Sequence, residues 1–328
     1  MRAIQWRSVL VVLAMAAGVC KVYAVSEASN AGAATTAVAH NGAASDSSPA
    51  TPSLAAGIEP ATLSQPVDSC ALAEITANPA RPAWDWTAST TQCGIAEIDS
   101  GWMDQTMGPG AMGAGVRQEM FTSSMRYGLT PKLDLRWLLT SHIAQSGGDT
   151  ASLGGIGDQW INARYRFVEQ GRWVPALAFD YAVKIPTANP AKGFGSGFAD
   201  QQYILIASRD LGKNHFDFNA VGTLAGEAHG HDGAAQFGLA LTRPVTKRLS
   251  WILESYGGPQ PGTPDRFGAA FTGGTYALRP GLVFDGAYTR TYTAGSPRQQ
   301  ILFGFTCAIR PGFATIPKGS VIARLLGR

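Results

Sequence analysis

The sequence is poor in charge and in cysteine, and each shortage excludes a class of protein. Charged residues make up 15% of the 328 residues, which is low for a soluble domain, where about a quarter is usual. The net charge of +3 is small and the basic residues are scattered, so we expect no nucleic-acid partner. With four cysteines, one of them inside the N-terminal leader, at most one intramolecular disulfide can form after processing.

Long hydrophobic runs are also missing. No stretch beyond the N-terminus approaches the ~20 apolar residues of a transmembrane helix. The N-terminus resembles a secretory signal, since Arg2 and Arg7 precede a short apolar core and Ala24 ends a small-residue cleavage site. We therefore expect residues 1–24 to be a signal peptide, and the exported chain to enter a membrane as strands. Residues 25–83 are rich in Ala, Ser, Thr, Pro and Gly, which predicts a disordered lead.

What the chain does contain is alternation of apolar and polar residues over segments of about ten. In residues 216–224, Phe216 and Phe218 share one face while Asp217 and Asn219 share the other, which is a strand pattern. Short turns alternate with longer Gly/Pro/Ser-rich stretches, as in a membrane meander. The expected strands are 92–103, 116–127, 132–144, 156–168, 172–184, 200–210, 214–226, 234–244, 248–256, 267–278, 282–292 and 299–309.

This pattern predicts an all-β fold: a transmembrane antiparallel up-and-down β-barrel of about 12 strands, covering residues 84–309, with a C-terminal tail at 310–328. The export signal, the strand number and the charges on the polar face together favour lipid outside and a wet lumen inside. We therefore expect the cell outer membrane as location, with outer-membrane lipids and the barrel-assembly machinery as partners. The residues predicted to line the pore are Arg126, Asp134, Arg136, Asn162, Arg164, Arg166, Asp180, Lys184, Asp217 and Asp285.

These charges have two interpretations that the sequence leaves open. Opposite charges facing each other across a pore set a transverse field and narrow the passage. Alternatively, they form salt bridges that only stiffen the barrel.

One stretch resembles a known family. Gly155-Ile156-Gly157-Asp158, then Lys184-Ile185-Pro186-Thr187, then Lys192-Gly193-Phe194-Gly195-Ser196-Gly197 with Asp200 are similar to the "MetA-pathway of phenol degradation" outer-membrane family. The similarity covers roughly residues 115–309. It implies an outer-membrane channel for passive passage of small, hydrophobic or aromatic solutes. The loop signature, Lys192, Gly193, Gly195, Gly197 and Asp200, is expected in an extracellular loop that folds over the mouth.

No motif marks an enzyme, and we expect no cofactor and no metal. Ser141 and His142 are adjacent in a strand and so point to opposite faces, which excludes a Ser–His pair between them. In the segment 229–232, two histidines and an aspartate on a loop form a weak metal motif that loop polarity explains better. Two alternative functions remain: a structural or adhesive barrel with a plugged lumen, for which the N-terminal segment is the candidate plug, and a barrel lipid hydrolase.

Cysteine pairing is likewise open. Cys307 shares the apolar face of its strand, whereas Cys93 shares a face with Glu97 and Asp99, so a bridge between the two is disfavoured. The favoured pair is Cys70 with Cys93.

Overall fold

The computed structural model describes residues 74–108, 116–147, 152–261, 266–293 and 297–311. The expected signal peptide, most of the expected lead and the tail beyond residue 311 lie outside these ranges. Thirteen strands occur within them: β1 (Ala96–Thr106), β2 (Arg117–Thr130), β3 (Leu133–Ser146), β4 (Leu153–Gly155), β5 (Gln159–Val168), β6 (Ala176–Ile185), β7 (Gln201–Leu211), β8 (Asn214–Glu227), β9 (Gly230–Pro244), β10 (Leu249–Pro259), β11 (Arg266–Arg279), β12 (Leu282–Thr291) and β13 (Gln299–Ile309).

Twelve of these strands close into a barrel. Each long strand pairs antiparallel with the next along the chain, and β1 pairs with β13 from Ala96↔Ile309 to Thr106↔Gln299 to complete the ring. The short β4 pairs with β3 alone and does not belong to the ring. The predicted fold class, an up-and-down antiparallel barrel of about 12 strands, is confirmed.

Several strand boundaries differ from the expected ones. β1 begins at Ala96 and not at residue 92, because Gly94 takes a left-handed conformation in the turn before it. β6 starts at Ala176, four residues after the expected residue 172, because residues 169–175 form the link from β5. β9 starts at Gly230 and not at residue 234, because β8 and β9 stay paired out to Glu227↔Gly230 and a tight turn joins them.

The two faces of the wall differ as the alternation predicts. Many outward side chains are large, apolar and exposed, whereas the outward Trp102 on β1 and Phe305 on β13 are apolar and buried. The exposed belt includes Ile161, Tyr203, Leu205, Phe237, Leu239, Trp251 and Leu253. The next residues along each strand are polar, buried and inward-facing. An apolar belt around a closed barrel is the surface that a bilayer requires. Among the described residues, no helix has the length and apolarity needed to cross a membrane.

Candidate functional site in the barrel lumen

Residues 77–92, which we call the plug, run inside the barrel. The N–H of Ala77 donates to the carbonyl of Pro280 in the turn between β11 and β12 (2.8 Å). At the other end of the plug, the hydroxyl of Thr90 donates to the carbonyl of Pro131 in the turn between β2 and β3 (2.8 Å). Both turns lie at the same rim, so the plug rises into the lumen and returns. The sequence divides these residues between the expected disordered lead and the barrel, and only the alternative of a lumen plugged by the N-terminal segment puts the lead inside.

Side chains of the wall hold the plug's backbone. Glu254 on β10 accepts hydrogen bonds from the backbone N–H groups of Trp84 (3.0 Å) and Asp85. Asn219 on β8 accepts from the N–H of Trp86 (3.1 Å) and donates to its carbonyl (2.8 Å). Because a buried peptide group needs a partner, these two side chains replace the strand pairing that the plug lacks.

Further along the plug, β7 and β3 supply acceptors in the same way. The N–H of Ala88 donates to the Ser208 hydroxyl (2.7 Å), and that of Thr91 donates to the Asp134 carboxylate (2.7 Å). Earlier in the plug, the Arg81 guanidinium lies 3.5 Å from Asp285 on β12. The plug therefore contacts strands all around the ring.

Two tryptophans of the plug pack against the inner face of the wall. Trp84 stacks on Tyr256 with ring centroids 4.8 Å apart and planes 2° from parallel. It also packs against the buried apolar cluster of Ile252 and Phe271 on β10 and β11. The Trp86 ring lies under two guanidinium groups, those of Arg164 (4.8 Å) and Arg136 (5.1 Å). Each contact of this type contributes up to about 2 kcal/mol when shielded from water.

Ion pairs of the wall also bind the plug's carbonyls. Arg164 bonds Asp180 through Nε (3.1 Å) and the carbonyl of Thr87 through Nη1 (3.0 Å). Arg126 forms an ion pair with Glu97 (2.6 Å) and donates to the carbonyl of Asn78 (2.5 Å). Each of these two arginines thus contacts an acid of the wall and a carbonyl of the plug.

All ten residues predicted to line the pore are buried on the inward face of their strands. The structure brings Arg164, Asp180 and Asn162 together as one hydrogen-bonded group. Among the described residues, Asp217 and Asp285 form no ion pair with the arginines of this predicted set. Asp217 instead bonds Ser208 and His215, and Asp285 meets Arg81 of the plug. Arg166 pairs with Glu169, and Lys184 with two carboxylates of the loop region.

The charges are unevenly distributed around the ring. All five buried arginine and lysine side chains of the described residues lie on four consecutive long strands, β2, β3, β5 and β6. The acids Asp217, Glu254 and Asp285 lie on the other side, on β8, β10 and β12, whereas Asp134 and Asp180 lie among the basic strands. The plug lies between: its carbonyls, the Trp86 indole and the Thr91 N–H face the basic strands, and further N–H groups and Arg81 face the acidic side. Its polar groups therefore complement the wall on both sides.

Sequence reasoning missed the acids that matter most for the plug. Glu97 and Asp99 alternate with apolar residues at the start of β1, a pattern that could have placed them in the lumen. Glu254 was harder to find, because the inward residues next to it, Ile252 and Tyr256, are as apolar as the outward ones, so β10 lacks a polar–apolar alternation.

Asp85 is a buried acid of the plug whose carboxylate oxygens have no hydrogen-bond partner among the described residues. It packs so closely on Gly238 that a Cβ there would collide with it. Burial, and then repulsion from Glu254 and Asp217, raises the pKa of Asp85 to about 9. The carboxyl is therefore protonated and neutral at pH 7.

The opposite mouth carries the loop at residues 186–200. The Lys184 ammonium, at the end of β6, lies 2.5 Å from Asp200 and 3.7 Å from Asp158, and donates to the Ser196 hydroxyl (2.9 Å). Phe194 is buried against Ile143 and neighbouring apolar side chains of the wall. The loop is thus fastened by one buried cation and one buried ring.

The five signature residues all serve this loop. Lys192 ends a 3-10 turn (Pro190–Lys192) and donates to the carbonyl of Gly154 (2.8 Å). Gly193 and Gly197 have φ of 71° and 78°, which favours glycine. At Gly195 a Cβ would approach Asp158 to 2.7 Å, and Asp200 binds Lys184.

A cavity of about 190 Å³ lies beside the plug near the rim that holds the short turns. Plug residues Arg81 and Trp86 line one side, and His215 and Ile252 line the wall side. It extends to Arg248 in the turn between β9 and β10. The plug therefore leaves space next to the Trp86 indole.

Ser141, Ser208 and His215 form no catalytic pair among the described residues. Ser141 donates to the carbonyl of Phe121 (3.3 Å). His215 bonds Asp210 and Asp217, while Ser208 bonds Asp217 and not the imidazole.

The described residues also include potential metal ligands and cysteines. No group of three or more potential metal ligands occurs in the described ranges, the 229–232 segment included. Neither described cysteine is free, and Cys70 lies outside these ranges, so its pairing with Cys93 stays a prediction.

Solved structures resemble the fold. An outer-membrane channel from Pseudomonas putida F1 matches with a TM-score of 0.53 and 15% identity, over 70% of this chain and 100% of that one. The KdgM porin in complex with disordered oligogalacturonate matches with a TM-score of 0.42 and 8% identity, over 64% of this chain and 98% of that one. The translocator domain of the autotransporter NalP from Neisseria meningitidis matches with a TM-score of 0.41 and 13% identity, over 66% of this chain and 88% of that one.

No protein-family model matches the sequence, and no curated protein does. At 15% identity the Pseudomonas similarity establishes a shared fold and not a shared solute. Together with the closed ring of twelve strands and the apolar belt, it defines the class: the protein is an outer-membrane β-barrel.

Proposed function

We propose that this barrel is an outer-membrane channel for passive passage of small, hydrophobic or aromatic solutes, and that the plug closes it at rest. The observation that carries the proposal is how the plug is held. Wall side chains such as Glu254 and Asn219 bind its backbone, while the wall strands pair with one another. The plug can therefore detach without opening the β-sheet.

The inner surface supports an apolar solute. Ile252, Tyr256, Ala269 and Phe271 form an apolar patch on adjacent strands, and Trp84 of the plug covers it. Displacing Trp84 would offer a planar aromatic solute the stacking surface that the indole now uses. This agrees with the solute class implied by the resemblance to the phenol-degradation family.

A plug with many contacts also favours the second candidate, a structural or adhesive barrel with a permanently filled lumen. The two candidates differ in one property, which is whether the full-length protein conducts. For both, we propose that the barrel-assembly machinery inserts the chain and that lipids cover the apolar belt. Neither requires an enzyme activity.

The test is single-channel recording of the refolded full chain in planar bilayers, with phenol or glycerol added. We expect brief openings that phenol interrupts and glycerol does not. Phe271→Ala should weaken the effect of phenol, because its ring faces the lumen. Phe303→Ala, on the outward face of β13, is the matched control and should leave the effect unchanged. A folded and inserted protein that stays silent under all conditions would instead support the structural barrel.

A further inference from the structure

One buried cation of the lumen lacks the partner that its neighbours have. Arg136 on β3 is 8% exposed, and its Nε and Nη1 atoms are buried without a hydrogen-bond acceptor among the described residues. The carboxylates that attract it, Asp99 and Asp180, are bonded to Arg126 and Arg164. What Arg136 does contact is the indole of Trp86, at 5.1 Å.

An anion would satisfy this guanidinium better than the indole does. A hydrogen bond from a guanidinium to a carboxylate is charge-assisted and stronger than a cation–π contact, and a planar carboxylate can accept two at once. Leaving buried N–H groups unpaired carries a further penalty, which an acceptor removes.

We infer that Arg136 binds the carboxylate of a small aromatic acid, and that Trp86 holds the position that the ring of this solute takes. The inference rests on the proposed channel function and narrows its solute class. The ring of the acid replaces the indole beside Arg136 and Arg164, and its carboxylate accepts hydrogen bonds from the Arg136 guanidinium. The cavity next to Trp86 provides the space into which the displaced indole moves.

Because the solute and Trp86 compete for one place, binding shifts the plug toward its undocked state. A ligand moves such an equilibrium only by its difference in affinity for the two states. Here the difference arises from Arg136, which is accessible to the acid only when Trp86 has left.

The test uses benzoate and benzyl alcohol, which share a ring and differ in the anionic group. Amide hydrogen exchange of residues 77–92 in the full-length protein reports plug release. We expect benzoate to accelerate this exchange and benzyl alcohol to have at least tenfold less effect at equal concentration. Arg136→Gln should raise the benzoate concentration needed at least tenfold.

The chain offers a matched control for the arginine. Arg172 also lies over an indole, that of Trp173, at 5.1 Å, but on the exposed link between β5 and β6. Arg172→Gln should respond to benzoate as the wild type does. Should Arg136→Gln fail to fold, Trp86→Leu gives the opposite test: without the competing indole, benzoate should bind more tightly.

The outcomes separate the inference from the channel function. Equal effects of the two ligands, or an unchanged response in Arg136→Gln, overturn the aromatic-acid site even if the protein conducts. If benzoate releases the plug only when Arg136 is present, and the protein never conducts, the aromatic-acid site is supported and the proposed channel function is overturned.

Discussion

Replacing Asn219 with alanine should loosen the plug without disturbing the wall. The Asn219 side chain is 2% exposed and makes two hydrogen bonds to the backbone of Trp86. Each bond contributes about 1 kcal/mol, and an N–H or carbonyl left buried without a partner costs about 1–3 kcal/mol. Taking about 3 kcal/mol in total, the undocked fraction of the plug should rise roughly a hundredfold.

Amide hydrogen exchange measures this change, because protected amides exchange through local opening. In Asn219→Ala, residues 77–92 should exchange roughly a hundredfold faster while β7 and β8 keep their protection. Asn162→Ala is the control: Asn162 is a lumen asparagine at 5% exposure that bonds Asp180 of the wall. The reasoning is refuted if both variants leave exchange of the plug at the wild-type rate, or if both change it equally.

Three further predictions concern the plug, the loop and the belt. The pKa of Asp85 is about 9 when the plug is docked in the lumen and near 4 when it is undocked, so the contribution of Asp85 to docking is complete below about pH 4 and is lost as pH rises through 9. Amide exchange of the plug, corrected for the intrinsic rate, should therefore accelerate from pH 5 to 9. Asp85→Asn should reduce this dependence on pH. Lys184→Gln leaves the carboxylates of Asp158 and Asp200 without their cation, so protease should cleave residues 186–200 at least tenfold faster. Lys192→Gln loses one exposed hydrogen bond and should change the cleavage rate little. Leu205→Arg, midway along β7, should destabilise the barrel in urea by about 2–4 kcal/mol and Leu211→Arg, at its end, by about 0–1 kcal/mol; equal effects would contradict a lipid-facing wall.

The wall could be predicted from the sequence because its signal is local. Alternation in residues 216–224 places Phe216 and Phe218 outside and Asp217 and Asn219 inside, and the structure does the same. Strand ends were less predictable, since pairing decides them: β9 continues to Gly230 because β8 provides bonds up to Glu227.

The N-terminal segment was a candidate plug from the sequence, but its path and contacts could not be predicted because they depend on the barrel around it. Residues 77–83 contain alanine and two prolines and bury little surface of their own, so composition alone suggests disorder. Their order arises from distant partners such as Glu254, more than 160 residues away in sequence. The same holds for Arg136: its inward position follows from alternation, but its missing acceptor appears only when Asp99 and Asp180 are seen bound elsewhere.

The central claim, that residues 77–92 close an otherwise open channel, is tested most directly by comparing single-channel currents of wild type and Asn219→Ala. We expect rare, brief openings in the wild type. In Asn219→Ala, openings of the same unit conductance should occupy a roughly hundredfold larger fraction of the time, up to the limit of continuous opening. Two folded, inserted proteins that are both silent, or that open equally often, would contradict the claim.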